Sequence, residues 1–218
     1  MRNKVYQGPK NDKERTMQNL IRAVGTVIKT KGYTGLTTVN IAKAAGSSRR
    51  MISYYFGSLD NLIETYIKGK DYWVAAAGEA PKLAEKSRGK GTKEILTTLL
   101  LNQFRYLYEN EEMQKIVLWQ INERTDIMSH VIAEREKLST AFFALSDKEL
   151  AGKNVDLRAI ASLLVAGIYF LVLHAKSTDV SFCEIDLNTP DGLKRIENAI
   201  RDILDCAYGV LAKSSVVG

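Results

Sequence analysis

The sequence predicts an all-α protein, and three of its features support that prediction. Proline occurs only at Pro9, Pro81 and Pro190 among 218 residues, so residues that break helices are scarce. Several long stretches repeat apolar residues at the i, i+3, i+4, i+7 spacing of one helix face. A hydrophobic content of 45% with 26% charged residues is ordinary for a globular protein. We therefore expect helices joined by short connections.

Four helices are expected in the N-terminal third, over about 11–31, 38–45, 49–55 and 58–77. Gly32 is expected to end the first helix with a left-handed backbone conformation, and Gly46 makes the sharp turn between the second and third. Thr37, Ser48 and Ser58 precede the later helices and are predicted to cap them. The apolar positions that should face the core of this region are Met17, Leu20, Ile21, Val24, Val27, Ile28, Ile41, Ala42, Ala45, Ile52, Leu59, Leu62, Ile63, Tyr66 and Ile67.

Residues 78–92 contain glycine, proline and several charges, so they are expected to interrupt the helices. Further helices are predicted near 93–110, 112–124, 127–147, 156–176 and 190–213, with 177–189 as a connecting loop. Thr189 followed by Pro190 is a strong signal for the start of the last helix. We expect two domains, 11–70 and 71–218.

The positive charge is concentrated in the first of these regions. Residues 1–70 hold 13 Lys and Arg against 4 Asp and Glu, a net charge of +9. The remainder holds 18 basic and 21 acidic residues, a net charge of −3. A basic module attached to a mildly acidic body is typical of proteins that bind a polyanion. A basic face that is merely solvated remains an alternative from charge alone.

Residues 34–62 have the pattern of two short helices joined by a glycine turn. Ala42 is small where the two helices would cross closely, Gly46 tolerates a left-handed backbone, and Ile52 returns to the core. The outer side of the second helix would then present Arg49, Arg50, Ser53 and Tyr54. A rigid helix pair of this kind places side chains in the major groove of DNA. Arginine can read guanine through two hydrogen bonds, although it can equally neutralise phosphate.

This segment resembles the TetR (tetracycline-repressor-like) family of bacterial regulators, over roughly residues 12–70. The resemblance implies an N-terminal three-helix helix-turn-helix DNA-binding domain followed by a larger helical ligand-binding and dimerisation domain. It implies a homodimer on a palindromic operator, and a repressor released by a small-molecule effector. The matching residues are Gly32-Tyr33, Leu36-Thr37-Thr38, Ile41-Ala42, Ala44-Ala45-Gly46, Ser48, Ile52, Tyr54-Tyr55-Phe56, Ser58 and Leu62.

Carried over to these positions, the resemblance implies that Thr38 contacts phosphate and that Arg49, Arg50 and Met51 face base edges. Tyr54 would lie across the groove, and Tyr55 would reach the DNA backbone. The complete set of expected DNA-binding residues is Thr37, Thr38, Ser48, Arg49, Arg50, Met51, Ser53, Tyr54 and Tyr55.

Three positions depart from the family pattern. Ser47 replaces a usual apolar residue, which suggests a looser turn. Ser53 and Leu59 replace a frequent tyrosine and a common lysine, which removes expected contacts with the DNA backbone. The N-terminal arm could compensate through basic residues, as arms do in other DNA-binding proteins: Arg2, Lys4, Lys10 and Lys13.

The helices near 156–176 and 190–213 are expected to form the dimer interface as a four-helix bundle. The first is apolar on almost every side, so it must be covered, either by the partner or by the core of its own chain. The residues expected at the interface are Leu164, Ile168, Leu171, Ile196, Ile200, Ile203, Leu204 and Leu211.

Aromatic and polar residues of the C-terminal region could line an effector pocket, or could simply be core. The candidates are Phe104, Tyr108, Trp119, Gln120, Tyr169 and His174. The alternative function is a DNA-binding helical regulator or adaptor without a small-molecule ligand. Saturable ligand binding would separate the two.

Other functions have little support in the sequence. With His130 and His174 as the only histidines, and with no phosphate-binding loop or metal-spaced cluster, we expect no enzyme activity, cofactor or metal. Cys183 and Cys206 are far apart, and no apolar leader begins the chain, so a cytoplasmic protein is expected. The apolar run from Ala159 to Ala175 is at the short limit for a membrane span, and a buried or interface helix is the better interpretation.

Overall fold

A computed structural model describes residues 9–78 and 91–209. These residues form helices, with an isolated β-bridge between Phe182 and Ile185 but no strand among them. The helices are α1 (Pro9–Lys31), a 3-10 turn (Tyr33–Gly35), α2 (Thr38–Ala45), α3 (Arg49–Phe56), α4 (Leu59–Lys70), α5 (Tyr72–Gly78), α6 (Thr92–Glu109), α7 (Glu111–Asn122), α8 (Asp126–Glu149), α9 (Leu157–Ser177) and α10 (Pro190–Tyr208). The all-α prediction is confirmed.

Side-chain caps explain where several helices begin. The Thr37 hydroxyl accepts a hydrogen bond from the Asn40 amide at 3.2 Å, and the Ser58 hydroxyl accepts one from the Asn61 amide at 3.0 Å. Thr189 does the same for α10. Each bond satisfies a backbone N–H that the first turn of a helix leaves unpaired. Ser48 occupies the capping position of α3 but makes no such side-chain bond.

Two glycines have backbone angles that other residues avoid. Gly46 lies in the left-handed region, with φ 60° and ψ 35°, as the helix-turn-helix pattern requires. The Ser47 amide bonds the Ala42 carbonyl at 3.0 Å across this turn, so backbone hydrogen bonds close it without an apolar Ser47 side chain. Gly32 has φ 69° but ψ −175°, an extended conformation essentially restricted to glycine rather than the left-handed stop expected.

The expected single helix over 58–77 is two helices. The backbone is extended at Asp71, with φ −70° and ψ 120°, so α4 ends at Lys70 and α5 begins at Tyr72. The Asp71 side chain is fully buried. The sequence pattern did not reveal this break, because aspartate between two apolar stretches is compatible with a solvent-facing helix position. Most of the expected interruption at 78–92 lies outside the described residues, as does the end of the predicted 190–213 helix.

The chain forms two compact units, and the first contains more than the N-terminal helices. It comprises the residues up to Asp71 together with Glu111–Ile132, so it includes α7, which packs with α1 and the 3-10 turn, and the first turns of α8. The largest fully buried side chains of this unit are Leu20, Ile28, Ile41, Ile52, Leu62, Ile67 and Ile116. The first segment of this unit ends at Asp71, one residue after the boundary expected from the sequence, and the expected boundary did not include the return of 111–132.

The second unit comprises Tyr72–Asn110 and the residues from Ala133 onward. Its core lies where α6 packs against α9 and α10, around Leu100, Phe104, Ile168 and Leu204. A buried polar group also joins its helices: the Thr92 hydroxyl bonds Glu149 at 2.7 Å and lies 2.8 Å from the Tyr208 hydroxyl.

Candidate nucleic-acid interface

The α2–α3 pair forms a tight, buried contact on its inner side. Ile41 and Ile52 are completely buried, and Ala42 is 4% exposed. A larger side chain at Ala42 would separate the helices, because protein interiors are close-packed. The inner side therefore fixes the direction in which the outer side of α3 faces.

The outer side of α3 is an exposed, basic and aromatic surface. Arg49, Arg50, Ser53 and Tyr54 are all exposed, with Tyr54 at 76%. The rings of Tyr54 and Tyr55 meet edge to face, with centroids 4.9 Å apart, which orients both rings. Neither arginine forms an ion pair within the described parts of the chain. Both charges therefore face solvent, available to a polyanion.

The residues before α2 are held by a network of hydrogen bonds that the sequence pattern did not reveal. Asn40 accepts a hydrogen bond from the Lys31 ammonium at 2.9 Å and donates one to the Gly35 carbonyl at 2.8 Å. The backbone amide of Asn40 donates the capping hydrogen bond to the Thr37 hydroxyl. Asn40 thus ties the end of α1 to the start of α2 and fixes Thr37 and the half-buried Thr38. An asparagine three residues after a capping threonine is the sequence feature that could have indicated this network.

The expected DNA-binding residues therefore share one region. Thr37, Ser48, Arg49, Arg50, Ser53 and Tyr54 are exposed, while Thr38, Met51 and Tyr55 are half-buried. Of the arm residues, Lys13 is exposed near the start of α1. Arg2 and Lys4 lie outside the described residues, and so does the side chain of Lys10.

Comparison with known proteins identifies this region. Residues 17–66 match the model of the bacterial regulatory proteins of the tetR family. Residues 17–66 therefore form a domain of the tetR type. The match spans α1 to α4 and includes every expected DNA-binding residue from Thr37 to Tyr55.

Solved structures extend the similarity of fold across both units. A TetR family transcription regulator from Marinobacter aquaeolei VT8 has a TM-score of 0.64 at 19% identity, covering 89% of this chain and 97% of that chain. The regulator FadR from Bacillus subtilis, in complex with stearoyl-CoA, has a TM-score of 0.62 at 18% identity, covering 86% and 96%. GusR from Salmonella enterica has a TM-score of 0.61 at 18% identity, covering 94% and 100%. A comparison with curated sequences gave no match.

These comparisons confirm the fold class: a TetR-type helix-turn-helix domain followed by a larger helical domain. The family and the similar structures are transcription regulators rather than enzymes. Within residues 9–78 and 91–209, no group of three or more His, Cys, Asp and Glu side chains could hold a metal ion. Cys183 and Cys206 are both free and exposed.

The six expected effector-binding residues do not share one unit. Trp119 and Gln120 belong to the first, and the Trp119 ring stacks on Tyr33 at a centroid distance of 5.6 Å. The reason is that α7 packs with the 3-10 turn of the TetR-type domain.

The other four lie in the second unit with distinct surroundings. Phe104 is fully buried, and the Tyr169 hydroxyl accepts a hydrogen bond from the Trp73 indole at 3.3 Å. The Lys176 ammonium lies 3.4 Å from the ring centroid of Tyr108. His174 lies 3.0 Å from the Val180 carbonyl through its Nε2 atom, in a partly exposed position.

The expected dimer residues also differ in burial. Ile168, Ile200 and Leu204 are at most 2% exposed within the single chain, so they belong to its core and cannot face a partner. The physical reason is that α9 and α10 both pack against α6 of the same chain. Ile203 is 44% exposed; Leu164, Leu171 and Ile196 are half-buried; Leu211 lies outside the described residues.

A different side of α9 is exposed and apolar. Leu163 is 74% exposed and Phe170 51% exposed, seven residues apart on one helix face. After the helix, Val180 is 69% and Phe182 40% exposed, and the Phe182 ring contacts Phe170 at a centroid distance of 5.0 Å. We call Leu163, Phe170, Val180 and Phe182 the α9 face. The sequence pattern did not distinguish this exposed side from the buried one, because apolar residues occupy nearly every position of the helix.

The helix α9 is also the one described helix long and apolar enough to cross a membrane by length and composition. Only 22% of its most apolar window is buried in the single chain. An exposed apolar surface of this kind is typical of a site that contacts another molecule.

Proposed function

We propose that this chain is a cytoplasmic transcriptional repressor that binds a palindromic operator as a homodimer and is released by a small-molecule effector. The observation that supports DNA reading is the α3 surface: Arg49, Arg50 and Tyr54 are exposed on a helix whose opposite side is anchored by the fully buried Ile52. A rigid helix with two exposed arginines suits guanine-containing major grooves.

Selection of bound sequences from a random pool of duplex DNA tests this proposal. The wild-type protein should enrich a palindrome with half-sites about 10 base pairs apart or a multiple of that spacing. Arg50→Ala should fail to enrich it, because the variant loses a base contact and keeps the fold. Absence of any enriched sequence at low salt would contradict the proposal.

The homodimer is supported by the α9 face. Its four exposed apolar residues form the kind of patch that soluble monomers rarely display, and a second copy would cover it isologously. Leu163→Arg should therefore yield monomers in analytical ultracentrifugation. Leu145→Arg is the matched control, because Leu145 is exposed to 52% on α8 and lies outside this face. If the Leu163→Arg variant forms dimers that are as stable as those of the wild-type protein, the proposed interface is refuted.

Effector binding is supported by one buried side chain of the second unit. Gln103 on α6 is 2% exposed, and neither its amide nitrogen nor its amide oxygen has a hydrogen-bond partner among residues 9–78 and 91–209. It neighbours the apolar Leu100 and Leu107 on the inner side of the helix. An unsatisfied buried amide costs roughly 1–3 kcal/mol, so a polar ligand atom bonding it would gain that amount. We propose an effector with an apolar body and one group that both donates and accepts hydrogen bonds.

Release of the selected operator tests this part. Stearoyl-CoA is a suitable first probe, since a regulator of the same fold binds it. A saturable loss of operator affinity that Gln103→Leu abolishes would support the assignment. Saturable release that Gln103→Leu leaves unchanged would refute the role of Gln103.

A further inference from the structure

Glu112, the second residue of α7, joins three helices of the first unit. Its Oε1 atom lies 3.0 Å from the Lys29 ammonium of α1, and its Oε2 atom lies 2.9 Å from the Lys70 ammonium at the end of α4. The Tyr66 hydroxyl of α4 donates a hydrogen bond to the same Oε2. The Glu112 side chain is only 16% exposed. The Glu112 carboxylate therefore holds α1 and α4 together. Glu112 itself lies outside residues 17–66, which match the family model.

Gly25 of α1 provides the space for this arrangement. A Cβ atom at Gly25 would lie 2.5 Å from the Tyr66 hydroxyl oxygen and 3.0 Å from the ring carbon that carries it. Tyr66 is 2% exposed, so its ring has little room to move aside. The missing side chain of Gly25 thus lets the Tyr66 hydroxyl pass α1 and reach Glu112. The contact depends on a precise fit as well as on charge.

Besides its contact with α2, α3 is joined to the start of α4 by a hydrogen bond. The Asn61 side chain of α4 donates a hydrogen bond to the Phe56 carbonyl at the end of α3, at 3.0 Å. The backbone amide of Asn61 donates a hydrogen bond to the hydroxyl of Ser58, which lies in the short link between the two helices. Because both ends of this link are hydrogen-bonded, α3 and α4 should move together. A change at the Glu112 end of α4 is therefore transmitted to the helix that carries Arg49 and Arg50.

We propose that Glu112 is a positioning residue for DNA binding: by holding α4 on α1, its carboxylate keeps α3 in the orientation that fits the major groove. This inference rests on the proposed function, because it concerns operator affinity. It assigns to α7 a role in the DNA-binding unit that the family match over residues 17–66 does not include. Glu112 itself makes no contact with DNA in this account.

The test compares Glu112→Gln with wild-type protein on the selected operator. Glutamine keeps the size of the side chain and still accepts a hydrogen bond from Tyr66, but it loses the ion pairs with Lys29 and Lys70. Residues that act on a site through others typically change its affinity by a factor of about two to thirty, so we expect operator affinity to fall about tenfold. Circular dichroism at the assay temperature must show both proteins fully folded.

Glu111→Gln is the matched control. It removes the same charge one residue away, but Glu111 is 62% exposed, and its ion pair among the described residues is with Lys115 of its own helix, at 3.6 Å. Removal of a negative charge near DNA strengthens binding slightly in both variants, so their difference isolates the contacts of Glu112. We expect Glu111→Gln to bind as tightly as the wild type or slightly more tightly.

Gly25→Ala tests the same contact without a change of charge. The added methyl group should displace Tyr66 from Glu112 and lower operator affinity by a similar factor. In the double variant with Glu112→Gln, the two losses should not add, because the contacts that the two changes disturb meet at the same Glu112 side chain. This second variant keeps the inference testable if Glu112→Gln is too unstable to assay.

The outcomes separate this inference from the proposed function. If the wild-type protein selects no operator, the proposed function fails. If it selects one and both Glu112→Gln and Gly25→Ala bind it as tightly as Glu111→Gln, the positioning role of Glu112 is overturned. A fully additive double variant would also overturn it, since the two changes would then act at independent sites.

Discussion

The Glu112 contact should also make the first unit sensitive to acid, and its contribution to stability can be worked out. Partial burial alone would raise the pKa of Glu112. Hydrogen bonds from Tyr66, Lys70 and Lys29 outweigh that effect and lower the pKa from its ordinary value of 4.5 to about 2. A lowered carboxyl pKa means that the folded state favours the ionised form, so it stabilises the fold above pH 4.5. That contribution is lost as the pH falls from 4.5 towards 2.

Its size follows from the same values. At 1.36 kcal/mol per tenfold change in proton affinity, the lowering of the Glu112 pKa from 4.5 to about 2 corresponds to about 3 kcal/mol. Because 16% of the side chain is exposed, solvent screens part of this energy, and we expect about 2 kcal/mol. Glu112→Gln should therefore lower the free energy of unfolding of the first unit by about 2 kcal/mol at pH 7. The deficit should shrink below pH 4.5 and approach zero near pH 2.

Urea unfolding followed by tryptophan fluorescence measures this deficit. The chain has two tryptophans. A Trp73→Phe background leaves Trp119, stacked on Tyr33, as the reporter of the first unit. The comparison of Glu112→Gln with Glu111→Gln at pH 7, 5, 4 and 3 gives the pH dependence. A deficit that is absent at pH 7, or unchanged between pH 7 and pH 3, would refute the reasoning.

Three further predictions concern single residues. Gly46→Ala should destabilise the first unit by about 1 kcal/mol in urea unfolding. Its φ is 60° and no atom lies within 4 Å of the added Cβ, so a loss near zero would show that strain is absent. Ser58→Ala should cost about 1 kcal/mol through loss of the cap on Asn61, and an unchanged midpoint would contradict the capping role. Gln103→Leu should stabilise the second unit by about 1–2 kcal/mol in thermal unfolding, because it removes an unsatisfied buried amide. A lower stability would show that the amide is satisfied.

Local signals made the DNA-binding region predictable. Helix starts at Thr38, Leu59 and Pro190 follow from side-chain caps, and the turn at Gly46 follows from a backbone angle that glycine adopts easily. These interactions join residues only a few positions apart. A pattern in the sequence therefore contains both partners, and the exposed face of α3 could be deduced from the buried Ile52.

The missed features depend on contacts between distant parts of the chain. Tyr66 and Glu112 are 46 residues apart, and nothing in the sequence around either residue indicates the other. The packing of α7 with the first unit, which separated Trp119 from Tyr169, has the same origin.

The burial of Ile200 and Leu204 was misjudged for a related reason. An apolar stripe on a helix looks the same whether its cover comes from the same chain or from a partner. The two cases are distinguished only by the structure, in which α10 packs against α6 of the same chain.

The measurement that tests the central claim most directly is the ratio of affinities for the selected operator and for a scrambled duplex of equal length. Specific DNA-binding proteins typically reach ratios of about 10³ or more. Arg50→Ala should weaken operator binding far more than binding to the scrambled duplex, so the ratio should fall. Lys43→Ala, a change at an exposed lysine of α2, should weaken both and leave the ratio intact. An Arg50→Ala protein that loses affinity equally for both duplexes would show that α3 does not read bases.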